Sequence, residues 1–137
     1  MSSPSVHEAL VYIMVVMSAA DRNMTDEELV RIGNIVRTWP VFVDFDEERL
    51  VEVSQDCQKL LQREDGLSRV LSQIKTVVPK RLHDTAYALA FEVAAVDLEM
   101  RLEELRVLQL LRESLVIEPS IVEAIERAAK ARHRMLQ

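Results

Sequence analysis

Six acidic residues stand in two matching arrangements along this chain. Asp21 is followed by Glu27-Glu28-Leu29, and Asp97 by Glu103-Glu104-Leu105, with Met24 and Met100 at the same point in each copy. Carboxylates are hard oxygen ligands, so such a set suits Ca²⁺ or Mg²⁺. Zinc favours His and Cys, and neither stretch contains one. A standard EF-hand is excluded, because its sixth position would be Asp26 or Leu102 instead of Gly, and its twelfth Ile32 or Leu108 instead of Glu. The pattern predicts one cation site in which Asp21, Glu27 and Glu28 of one half face Asp97, Glu103 and Glu104 of the other.

The same acids have a purely structural reading. Thr25-Asp-Glu-Glu28 spells a capping box, in which Thr25 caps a helix and Glu28 reaches back to it. Glu27 also favours the positive end of the helix dipole. In the second copy Arg101 stands where Thr25 does, and a guanidinium accepts no hydrogen bond. Capping alone therefore leaves the second set of acids unexplained, whereas shared descent from a duplication would preserve them without function. Both readings stay open at the level of sequence.

The elements that carry the acids are helical. A long apolar run, Ala9–Met17, precedes the first acidic loop, and a second, Ala86–Val96, precedes the other. The 3.6-residue spacing predicts helices over roughly Ser5–Ala20, from Asp26 to before Trp39-Pro40, from a cap at Asp44 or Asp46 through Leu61, and from Gly66 through Val77. It then predicts a helix opened by Pro79 and continuing through Val96, one over about Leu102–Leu115, and one from Pro119 with Ile121, Val122, Ile125, Ala128 and Ala129 inward. No segment keeps a strand period. The first helix is apolar nearly all round, so other helices must surround it.

The reading is an all-α, single-domain bundle of about seven helices over residues 1–137. Two half-repeats, about 5–64 and 79–136, are joined by a bridging helix at about 66–78. A pseudo-twofold axis should relate them, with helices 1 and 5 packed together at the centre. Superposing the halves should place Asp21 on Asp97 and Leu29 on Leu105.

Composition agrees. The chain has 2 Gly, 4 Pro and 4 % aromatics, which suits helices better than sheets. One cysteine excludes a disulfide framework. The net charge is −6, and a net acidic chain argues against nucleic acid as partner. The last residues carry Arg127, Lys130, Arg132 and Arg134, which oppose a helix C-terminal dipole. The apolar run Ala9–Met17 is shorter than the roughly 20 residues of a membrane span, and the start lacks a basic signal-peptide region. A cytoplasmic protein without a membrane span is expected.

Other chemistry is sparse. His7, His83 and His133 sit in separate segments and read as solvated or boundary residues. Glu92 interrupts an apolar helix and reads as part of an exposed stripe. Cys57 reads as a small core hydrophobe, and Trp39 as a plug at the corner after the second helix. Nucleophile elbows, phosphate loops and zinc-hydrolase motifs are missing from the sequence.

The two copies, Ala19-Ala20-Asp21 to Glu27-Glu28-Leu29 and Ala95-Val96-Asp97 to Glu103-Glu104-Leu105, resemble the signature of the tellurite-resistance TerB family. The resemblance runs from Val6 to Leu136. It implies an internally duplicated helical fold and a cytoplasmic non-enzyme of metal or oxyanion stress, with divalent metal held by the acids. Similar domains occur in a membrane-anchored DnaJ-type co-chaperone, so membrane-associated stress-response components are among the protein partners it suggests. The expected function is a binding or scaffold module, metal-dependent through those acids. The alternatives are a metal-independent adaptor and a metal-dependent hydrolase. The hydrolase ranks last, because it needs an open coordination position and groups that orient a substrate.

Overall fold

A computed structural model describes residues 3–19, 24–95 and 101–136. Among them are seven α-helices and no strand. In chain order they are α1 (Val6–Ser18), α2 (Asp26–Thr38), α3 (Leu50–Leu61), α4 (Gly66–Val77), α5 (His83–Ala95), α6 (Leu102–Ser114) and α7 (Pro119–Arg132).

The apolar run of α1 has the environment its composition demands. Every residue from Ala9 to Ser18 is buried. α3, α4 and α5 all pack on α1, while α5 is flanked by α6 and α7. α1 and α5 thus lie against each other at the centre of the bundle. The burial of α1 from Ala9 onward and of most of α5 removes a large apolar area from water, which is the main stabilising term.

Local sequence sets the helix ends. Ser5 caps α1 with a full capping box: Oγ accepts from Glu8 N at 3.1 Å, and Glu8 Oε1 accepts from Ser5 N at 2.7 Å. Arg49 adds an ion pair to Glu8 at 2.7 Å. The Ser5 N–H, followed by Arg49, holds the Glu8 carboxyl below the usual carboxylate range. Trp39 terminates α2 and is half-buried against the core, and the 3₁₀ turn that follows, Pro40–Phe42, buries Phe42.

Of the two candidate caps for α3, Asp46 acts. Its Oδ1 accepts from Glu48 N at 3.0 Å and starts a 3₁₀ turn, Glu47–Arg49, that leads into the helix. Asp44 instead adopts a left-handed conformation, φ 74°, which Asp tolerates better than most residues. Pro79 likewise begins a 3₁₀ turn, Lys80–Leu82, ahead of α5. Gly66 is the first residue of α4, and its role is close approach: a Cβ there would stand 2.3 Å from Leu60 O.

α7 departs from expectation. Val122 and Ile125 are half-buried and Ala129 is buried, but Ile121 and Ala128 are exposed. α7 lies over α5 on one side, so only a narrow stripe of it reaches the core.

Candidate functional site

Four of the six predicted acids lie among the described residues, at the starts of α2 and α6. Asp21 and Asp97 lie outside the described residues, as does most of the loop between α5 and α6.

In the first copy, Thr25 Oγ1 accepts from Glu28 N at 3.2 Å, and Glu28 Oε1 accepts from Thr25 N at 2.8 Å. The capping box is complete. In the second copy, Glu104 Oε1 accepts from Arg101 N at 3.1 Å. Arg101 cannot return the bond, so half of the box survives without its cap. Capping thus accounts for Glu104 as well as Glu28, contrary to what the missing Thr suggests. Glu104 is buried and Glu28 half-buried.

Glu27 and Glu103 differ from their neighbours. Both are exposed, and among the described residues neither makes an ion pair or a hydrogen bond. Leu29 is half-buried beside the core, whereas Leu105 is 47 % exposed. Among the described residues, no three of His, Cys, Asp or Glu are grouped as a metal ion requires. The donor chemistry suits a hard cation, but Glu27, Glu28, Glu103 and Glu104 do not assemble a site by themselves.

α2 and α6 occupy Asp26–Thr38 and Leu102–Ser114, a separation of 76 residues at each end, and the same 76 separates Asp21 from Asp97. His7 and His83 are also 76 apart. His7, at the start of α1, bonds through Nε2 to Val41 O at 2.9 Å, in the connection between α2 and α3. Its ring lies 6.0 Å from that of Phe42 and 5.6 Å from that of Phe45. His83, at the start of α5, accepts at Nδ1 from Val116 N at 2.9 Å, in the connection between α6 and α7. Its Nε2 meets Val78 O at 3.0 Å. His83 is therefore fully buried, contrary to the boundary position predicted for it.

The remaining polar groups join helices. Tyr87 of α5 donates to Glu126 of α7 at 2.5 Å and accepts from Arg112 of α6 at 2.9 Å. Burial pushes the Tyr87 phenol well above its ordinary value, so it stays protonated. Glu92 is not on an exposed stripe: its side chain is 14 % exposed and pairs with Arg132 at 2.5 Å and His133 at 2.6 Å. Burial pushes the Cys57 thiol up to about 12, which keeps it out of thiolate chemistry.

One family model matches the sequence across most of the chain. The family model described as tellurite resistance protein TerB matches residues 7–130. The chain belongs to the TerB family. Comparison with curated proteins and with solved structures gave no match. Among the described residues of this TerB-family protein, no helix is long and apolar enough to cross a membrane.

Proposed function

We propose that this TerB-family protein is a non-enzymatic binding or scaffold module of a stress response, with a divalent cation held at its two acidic loops. The observation that carries the reading is the pair Glu27 and Glu103. They recur at matching helix starts, they are exposed, and capping consumes neither. Glu28 and Glu104, fixed by their bonds to Thr25 N and Arg101 N, hold a second carboxylate beside each. Because these four do not form a cluster, a complete site draws on Asp21 and Asp97 as well. When bound, a Ca²⁺ or Mg²⁺ ion would supply positive charge that offsets repulsion among the carboxylates. The buried polar groups support a binding role over catalysis, since His83, Tyr87 and Glu92 are engaged in holding helices together.

Isothermal titration with Ca²⁺ and Mg²⁺ tests the reading. It predicts one ion per chain, lost in Asp21→Asn with Asp97→Asn. Two independent equivalent ions would mean separate half-sites, and no binding at millimolar ion would reject the cation. A second reading, a metal-independent protein adaptor, is favoured by Leu102 and Leu105, which are 80 % and 47 % exposed on α6. Apolar side chains exposed together suit a protein partner.

A further inference from the structure

A cleft of about 370 Å³ opens between the N-terminal segment, α1, α3 and α4. None of these elements carries one of the six acids, so the cleft is separate from the proposed cation site. Its volume is at the lower end of ligand pockets, about 300–1,000 Å³.

The polar side chains around the cleft are arranged by helix geometry. Asp56, Lys59 and Arg63 are spaced three and four apart along α3 and just beyond its end, so they share one face. Arg69 and Gln73, four apart on α4, form the facing wall. Arg69 is bridged to Asp65 at 3.2 Å. Among the described residues, Lys59 and Arg63 have no carboxylate partner. In a chain of net charge −6, two unpaired cations at one concavity make a local attraction for anions.

Two further groups narrow the ligand. Gln73 Oε1 is buried and has no hydrogen-bond partner, so an acceptor at the cleft lacks a donor. Tyr12 is nearly buried at the base, and burial, with Cys57 and Asp56 nearby, pushes its phenol up to about 12. It is therefore an O–H donor at neutral pH.

We propose that this cleft binds a small organic anion that also carries an amino or hydroxyl donor. Lys59 and Arg63 take its carboxylate or phosphate, and Asp56 and Gln73 receive its donor. The proposal is independent of the cation reading.

Calorimetric titration with O-phospho-L-serine and with inorganic phosphate provides the test. Phosphoserine has both the anion and the ammonium; phosphate has only the anion. Both should bind saturably, with phosphoserine at least about fivefold tighter for its extra charge-assisted bond. Lys59→Ala with Arg63→Ala should weaken both more than tenfold at an unchanged melting temperature, because both side chains are exposed. Gln73→Leu should narrow the difference between the two probes. Absence of saturable heat from either probe at about 10 mM, a level that would detect millimolar affinity, overturns the proposal. So does undiminished binding in the double variant. Equal affinity for the two probes overturns the donor half of the assignment.

Discussion

The backbone N–H of Val116 donates to Nδ1 of His83 at 2.9 Å, which fixes the tautomer of that ring. With Nδ1 accepting, the proton is on Nε2, and it is donated to Val78 O at 3.0 Å. One buried imidazole thus ties the end of α4 to the connection between α6 and α7. His83→Leu keeps the volume but leaves a backbone donor and a backbone acceptor without partners. The expected cost is about 2–4 kcal/mol, and His7→Leu, with one bond on a half-buried ring, should cost about 1 kcal/mol. Urea unfolding of the two variants checks both the size and the order.

Gly66 and Gly33 should respond to alanine in opposite directions. Alanine is favoured over glycine inside a helix by about 1 kcal/mol. At Gly33 a Cβ would meet Arg37 Nη1 at 3.5 Å, an ordinary contact, so Gly33→Ala should stabilise by up to that amount. At Gly66 the Cβ would stand 2.3 Å from Leu60 O and 2.8 Å from Leu61 Cα, both backbone atoms. Gly66→Ala should destabilise by more than about 1 kcal/mol, because the turn between α3 and α4 must shift. Thermal melts of the pair decide it, and two variants with the same sign would contradict the account.

Acid should release the N-terminal end of α1. Glu8 has a folded-state value below its ordinary 4.5, through Ser5 N and Arg49. A depressed carboxyl contributes stability that is fully present above the unfolded value and is lost as pH falls through the folded one. Wild type should therefore be more stable than Glu8→Gln at neutral pH, and the difference should shrink as pH drops below 4.5. Denaturant midpoints across pH 3–7 measure it. A constant difference across that range would place the effect elsewhere.

Tyr87 joins α5 to α6 and α7 through one oxygen. Tyr87→Phe removes both bonds but leaves Arg112 and Glu126 within 3.5 Å of each other. The ion pair can still satisfy both partners, so the expected loss is only about 1–2 kcal/mol. Glu126→Leu leaves the phenol O–H without its acceptor and Arg112 without its ion-pair partner, and should cost more. Chemical denaturation of the two variants gives the ordering.

The helices were legible because each writes its own period and its own ends. Thr25 and Trp39 bound α2, and Pro119 starts α7, by local chemistry. Burial depth was less legible. Ile121 and Ala128 sit on the apolar stripe of α7 yet remain exposed, since periodicity gives a face and not how much of it is covered. Pairings distant in sequence were not legible at all: Glu92 finds Arg132 and His133 about 40 residues away, and His83 finds Val116, 33 residues on. The repeated acids were visible at once. What each does was not, because the same Glu104 that suggests a ligand also bonds Arg101 N.

Thermal melting with and without divalent ion tests the central claim, that Asp21, Glu27, Glu28, Asp97, Glu103 and Glu104 share one cation. Ions that bind the folded state stabilise it by about 2.7 kcal/mol at one hundred times the dissociation constant. Millimolar Ca²⁺ or Mg²⁺ should therefore raise the wild-type midpoint by several degrees over chelator. Asp21→Asn with Asp97→Asn should abolish the rise and make the metal-free protein more stable, by relieving repulsion between like charges. A wild-type midpoint that stays the same in Ca²⁺, Mg²⁺ and chelator would contradict the account and leave Glu28 and Glu104 as capping residues.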